Sequence, residues 1–135
     1  MWHGSDDPLV RRENAREIVD QWTDMHGLGV EPTRIETTER YVRQVWSNSS
    51  GTELVECYVI PKMAHGTPLG SREHDDEGGI PGPFSLEVGI SSSYHIAKFW
   101  GLTGLAKKLV RQSFASPCPR LITPSTRMIR PLHLT

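Results

Sequence analysis

The chain has 135 residues, enough for one small domain, and its 12 glycines and 10 prolines predict a loop-rich one. The formal net charge of −1 provides no overall field to attract nucleic acid or an anionic membrane surface. No apolar run approaches the roughly 18 residues that a membrane span needs. Nucleic acid and membrane are therefore not expected partners, and no feature specifies an oligomeric state.

The first half of the chain predicts one helix and a hairpin. Glu13 to His26 has the helical period, and its apolar face is formed by Ala15, Ile18, Val19, Trp22 and Met25. Ile35 to Trp46 is rich in β-branched and aromatic residues, which favour a strand. Glu53 to Ile60 is nearly continuous apolar sequence, as in a strand covered on both faces. The Ser, Asn and Gly residues between these two segments predict a turn that joins them.

The second half predicts one long loop and one helix. Gly66 to Phe84 contains Gly, Pro and charge without a period and is expected to be a loop. In Ser91 to Gly101 a serine supplies the helix N-cap and a glycine ends the helix. We expect Trp22 and Trp100, both on helical faces, to lie in the core. Residues 106–135, a basic segment rich in Ser, Pro and Arg, are expected to be disordered.

The order of elements predicts an α/β fold with a parallel sheet and covering helices. The predicted strands are too few, however, to cover the apolar faces of the two helices. The strand that should end at His3 keeps only Met1 and Trp2 before it. We therefore expect residues 1–105 to be the C-terminal part of a larger α/β domain. The start of the chain shows no secretory signal, because no basic region is followed by an apolar core.

Two polar residues each follow a predicted strand. Asp7 lies just past the first, and His65 lies in a Gly-containing loop just past Glu53 to Ile60. Functional groups of α/β sheets collect at the carboxyl ends of strands, and an acid followed by a histidine is the α/β-hydrolase order. In that chemistry a carboxylate holds the histidine in one tautomer while the histidine takes a proton from a serine. The simpler alternative for each residue is a solvated loop side chain.

Three segments resemble esterases related to poly(3-hydroxybutyrate) depolymerases. HGSDDPLV is similar to their His-Gly-x-x-Asp-x-x-Val acid loop, MAHGTPL to their histidine loop, and GPFSLEVGISSSYHIAKFWGL to their C-terminal segment. The resemblance implies an incomplete α/β-hydrolase fold, hydrolysis of a polyhydroxyalkanoate or of an acylated polysaccharide, and no cofactor. It makes Asp7, rather than Asp6, the catalytic acid and His65 the catalytic histidine. By analogy, the full-length parent would be extracellular or periplasmic.

The chain departs from this family in lacking the Gly-x-Ser-x-Gly nucleophile turn. Ser91, Ser92 and Ser93 follow the histidine, and none has the glycines on both sides that the motif requires, so they cannot inherit that role. We therefore expect the chain alone to be inactive. The rival hypothesis is a non-catalytic gene remnant or a small interaction module.

Two further groups of residues have simple explanations. His74, Asp75, Asp76 and Glu77 could suggest a metal site, but consecutive side chains in an open loop do not converge on one ion. We expect a solvated loop there and no metal. Cys57 is expected to be a small buried hydrophobe, and a disulfide with Cys118 is possible by count alone.

Overall fold

A four-stranded mixed sheet forms the framework of the molecule. The computed structural model describes residues 1–70 and 79–103, so the predicted tail, Cys118 and the acidic cluster from His74 to Glu77 lie outside the described residues. The elements are β1 (Trp2–Gly4), α1 (Arg12–Met25), β2 (Arg34–Thr37), β3 (Val42–Ser47), β4 (Glu53–Ile60), β5 (Thr67–Leu69), β6 (Ser85–Glu87) and α2 (Ser92–Phe99). The sheet has the order β1-β4-β3-β2, and it gives the fold its α/β class.

The predicted hairpin is formed by β3 and β4, which pair antiparallel. Its loop is held by the Asn48 side chain, whose Oδ1 accepts the backbone N–H groups of Ser50 (3.1 Å) and Thr52 (2.9 Å). The prediction of one continuous strand over Ile35 to Trp46 is wrong. Thr38 Oγ1 accepts the backbone N–H of Tyr41 at 3.1 Å and closes a turn there. The segment therefore folds back on itself and gives β2 and β3.

Strand β4 is covered on both faces, as its apolar sequence predicted. On one face, Val55 and Cys57 pack with Val19 of α1 and with Trp46. On the other face, Tyr58 and Ile60 pack with Met63 and Ile90, and several half-buried side chains complete this cluster. Because successive side chains of a strand point to opposite faces, β4 serves two cores at once.

Helix α1 agrees with its prediction within one residue at each end, but its buried face is narrower than predicted. Ala15, Val19 and Thr23 are buried, at the four-residue spacing that places them on one line of the helix. The neighbouring apolar residues are not covered: Trp22 is 50% exposed and Met25 is 75% exposed. The expectation that Trp22 lies in the core is therefore wrong, because the sheet does not extend beneath that side of the helix.

The predicted long loop from Gly66 to Phe84 contains a short strand. β5 pairs with β6 in parallel, and the Thr67 N–H donates to the Phe84 carbonyl at 2.7 Å. Helix α2 begins as predicted, with Ser91 Oγ accepting the Tyr94 N–H at 3.3 Å. Trp100, expected in the core, is 68% exposed instead, because α2 ends just before it.

Ile60 is the residue on which a stability test is clearest, because it is 1% exposed where β4 ends. Ile60→Ala should lower the free energy of unfolding by about 2–5 kcal/mol through lost burial and a cavity. Ile35, on β2, is 57% exposed, so Ile35→Ala should cost less than about 1 kcal/mol. Urea denaturation of the three proteins measures the difference. Equal losses in both variants would contradict the two-sided core around β4.

Candidate active site

The site forms where two neighbouring parallel strands end. β1 and β4 pair in parallel, with Gly4 opposite Ile60, so the segments that follow them leave the same edge of the sheet. Two backbone hydrogen bonds continue this pairing past the strands. The Ser5 N–H donates to the Ile60 carbonyl at 2.9 Å, and the Asp6 N–H donates to the Met63 carbonyl at 3.1 Å. The acid loop after β1 and the histidine loop after β4 therefore run side by side.

Gly4 allows the two loops to approach this closely. A Cβ atom at Gly4 would lie 2.1 Å from the Met63 carbonyl oxygen and 2.7 Å from the Ala64 carbonyl oxygen. Both distances are far below van der Waals contact, and both partners are backbone atoms. Only glycine fits at this position.

Ser5 provides a second connection between the loops. Its Oγ accepts the backbone N–H of Lys62 at 2.7 Å and donates to Asp6 Oδ1 at 2.7 Å. Lys62 has a φ of +59°, a left-handed conformation that L-residues adopt at a cost. The Ser5 hydroxyl stabilises the turn at that point. Asp6, which was interpreted as a surface neighbour, is exposed.

Asp7 uses its two carboxylate oxygens for two different contacts. Oδ1 accepts the backbone N–H groups of Leu9 (2.8 Å) and Val10 (2.9 Å), which closes a turn after the acid. Oδ2 lies 2.9 Å from His65 Nδ1. The Asp7 side chain is only 6% exposed. The carboxylate is thus oriented by its own loop and presents one oxygen to the imidazole.

These contacts lower the pKa of Asp7 to about 2 from its ordinary 3.8. Burial of the carboxylate acts in the opposite direction and raises its pKa, but the hydrogen bonds from Val10, His65 and Leu9 together outweigh it. Because the folded pKa is the lower one, the ionised form contributes stability that is fully present above pH 3.8 or so. That contribution is lost as the pH falls through about 2. Asp7 is therefore a carboxylate at any physiological pH.

His65 combines a fixed side with an accessible one. Nδ1 faces Asp7, while the side chain as a whole is 41% exposed. The ring of Phe84 stands edge-on to the imidazole, with the ring centroids 6.0 Å apart. Phe84 is itself 62% exposed and has a φ of +63°, so an aromatic side chain is held beside the histidine at a cost in backbone strain.

Two of the three serines that follow the histidine have structural contacts. Ser91 caps α2, and Ser92 Oγ donates to the Pro68 carbonyl at 3.2 Å. Both residues are buried, with 5% and 4% of their surface exposed. Ser93, by contrast, is exposed, so the prediction that the serine triplet supplies no nucleophile stays a prediction.

Within residues 1–70 and 79–103, no group of three or more His, Cys, Asp or Glu side chains is arranged to hold a metal ion. Cys57 is buried and forms no disulfide within the described residues, and burial raises the pKa of its thiol. No helix in the described part of the chain has the length and apolar character to cross a membrane.

The sequence predicted Asp7 and His65, which the structure brings together, but it did not single out Gly4, Ser5 or Phe84. Gly4 could have been found, because a glycine directly after His3 and just before an acid loop suggests close backbone approach. Nothing local marks Ser5, whose partner Lys62 is distant in sequence.

Comparison with known proteins gives two relatives. The chain is 38% identical over 104 residues to a poly(3-hydroxyalkanoate) depolymerase C of Paucimonas lemoignei, a match that covers 77% of this chain and 25% of the relative. It is 32% identical over 74 residues to an acetylxylan esterase of Coprinopsis cinerea, covering 54% of this chain and 19% of the relative. The chain thus spans a quarter or less of the length of these relatives. No family model matches it.

The close approach at Gly4 gives a test of the site's construction. Gly4→Ala should lower the free energy of unfolding by at least about 1–3 kcal/mol, the usual cost of overpacking, because two backbone carbonyls must move. It should also separate Asp7 from His65, which NMR contacts between the two loops would detect. Gly29→Ala is the matched control, because a Cβ at Gly29 meets nothing within 4 Å. Equal stability of the two variants would show that the loops are not in backbone contact.

Proposed function

Because the chain belongs to the family of poly(3-hydroxybutyrate) depolymerase-like esterases, we propose that it carries the acid and the histidine of a serine carboxylic ester hydrolase. Asp7 is the proposed acid and His65 the proposed general base. One observation carries the assignment: Asp7 Oδ2 and His65 Nδ1 are 2.9 Å apart. The nucleophilic serine of this enzyme is proposed to lie outside these 135 residues.

The proposed mechanism assigns one role to each side of the imidazole. With its Nδ1–H donated to Asp7, neutral His65 carries its lone pair on Nε2, the nitrogen that takes the proton of the attacking serine. Asp7 then stabilises the imidazolium that forms, and His65 returns the proton to the leaving alkoxide. An ionised acid is needed throughout, which agrees with the lowered pKa of Asp7. This chemistry requires neither a metal nor an organic cofactor.

The proposed substrate is a carboxylic ester of a polymer. One relative is named for poly(3-hydroxyalkanoate) and the other for acetylated xylan, so the bond common to both is the ester. A hydroxyalkanoate chain or an acyl group on a polysaccharide fits this chemistry. By analogy with this family, we propose an extracellular or periplasmic location for the full-length parent.

We propose that residues 1–105 form the C-terminal part of an α/β-hydrolase domain. In the described part of the chain, β1 has a neighbour on one side only, and its other edge is open for a further parallel strand. Ile18, Trp22 and Met25 of α1 are exposed on the side of the helix that the present sheet does not reach. Further strands beyond β1 would bury both features.

The 135-residue chain alone should not turn over a chromogenic ester above the rate of free imidazole, because the nucleophilic serine and the oxyanion donors are proposed to lie outside it. It should also fail to react with a fluorophosphonate probe directed at nucleophilic serines, as intact-mass spectrometry would show. Labelling of a serine between positions 91 and 93, together with saturable turnover, would overturn the assignment of the nucleophile to another segment.

The roles of the acids can be separated in a chimera that carries this sequence in place of the matched segment of the depolymerase. Asp7→Asn should lower kcat by about 10⁴, because the histidine then adopts the wrong tautomer. His65→Ala should be at least as damaging, and combining both changes should add little, since the two act as one unit.

Asp6→Asn is the matched control for this experiment, because it removes an exposed carboxylate from the adjacent position. It should change kcat far less than Asp7→Asn. If Asp6→Asn were the crippling change, the assignment of the acid would be wrong. If Asp7→Asn and His65→Ala both kept full turnover, the non-catalytic alternative would be favoured.

A further inference from the structure

The one buried histidine among the described residues is His3, which lies in β1 with 5% of its surface exposed. Its Nε2 lies 3.1 Å from the carbonyl oxygen of Val10. A carbonyl can only accept, so the proton of a neutral His3 is on Nε2 and the imidazole donates. His3 thereby connects the end of β1 to the far side of the acid loop.

Val10 is held through both of its backbone groups. Its carbonyl accepts from His3, while its N–H donates to Asp7 Oδ1 at 2.9 Å. The Asp7 carboxylate therefore stabilises the turn from Asp7 to Val10, and the His3 imidazole connects this turn to strand β1. The other oxygen of the same carboxylate, Oδ2, forms the hydrogen bond with His65 Nδ1.

We propose that His3 is a positioning residue for the Asp7–His65 pair, acting through the Val10 carbonyl to hold the acid loop in the conformation that aims Asp7 at the imidazole. This inference rests on the proposed function, in which that pair is catalytic. His3 itself contacts neither the histidine's accessible side nor a substrate in this mechanism.

Core packing alone does not explain a histidine at this position. Nδ1 of His3 is buried and has no hydrogen-bond partner among the described residues. An unsatisfied buried polar atom destabilises a fold, and an apolar side chain of similar size would avoid that cost. What distinguishes histidine here is the directed hydrogen bond from Nε2.

The test uses the full 135-residue chain and needs no turnover. The pKa of Asp7, followed by carbon-13 NMR of its carboxylate, is expected at about 2 in the native sequence. In His3→Leu the turn loses its attachment, the bonds from Leu9 and Val10 weaken, and the pKa should rise by about one unit or more toward 3.8.

His3→Gln and His3→Asn both replace the imidazole with a polar amide, but the two amide side chains differ in length. The terminal nitrogen of Gln occupies nearly the place of histidine Nε2, so His3→Gln should keep the pKa of Asp7 near its native value. The side chain of Asn is one carbon shorter, so His3→Asn should raise the pKa as His3→Leu does. If His3→Leu fails to fold, this pair still decides the question.

Val45→Ala is the control for general loosening, because Val45 is fully buried in β3, away from the acid loop. It should lower stability and leave the pKa of Asp7 unchanged. The proposal is overturned if His3→Leu and His3→Asn leave that pKa at its native value, if His3→Gln raises it as much as His3→Asn, or if Val45→Ala raises it too.

Activity provides an independent readout in the chimera. There His3→Asn should lower kcat roughly 10- to 100-fold with little change in KM, and His3→Gln should restore it, because only the orientation of the acid is affected. An inactive chimera would count against the proposed function. The titration of Asp7 would still decide the role of His3.

Discussion

The parallel pairing of β1 with β4 is the constraint on which the site depends. β1 has only three residues, and it places Gly4 opposite Ile60 where both strands end. Such a short pairing of strands forms few hydrogen bonds, so contacts between the two following loops are needed to hold the strands and loops together. Because Gly4 has no side chain, the two loop backbones can lie in contact, and the Ser5 hydroxyl accepts the backbone N–H of Lys62 across them. A shift by one residue in this pairing would move the acid and the histidine apart.

In the acid loop, one carboxylate both stabilises the loop and contacts the histidine of the candidate site. Asp7 Oδ1 closes the turn through two backbone N–H groups, and Oδ2 is left for His65. The same contacts that orient the carboxylate also stabilise its charge, which lowers its pKa. Orientation and ionisation are thus one physical effect. The adjacent Asp6 has a similar sequence environment but bonds to Ser5 and remains exposed.

The described part of the chain combines a well-covered strand with surfaces that have no partner. β4 is buried on both faces, whereas β1 is open along one edge and α1 exposes Trp22 and Met25. The uncovered surfaces thus lie on the β1 side of the sheet, away from the antiparallel strands β2 and β3.

The sequence by itself determined the features whose causes are local. Helix α1, the β3–β4 turn and the Ser91 cap follow from side-chain period, turn residues and capping chemistry. The places of Asp7 and His65 after two strands predicted that the two side chains lie close together, as they do. Only the tertiary structure decided which part of α1 is buried, because burial depends on how far the sheet extends beneath the helix. Only the tertiary structure revealed the pairing of β5 with β6 and the hydrogen bond between Ser5 and Lys62. Contacts between distant segments depend on strand register, which no local sequence pattern encodes.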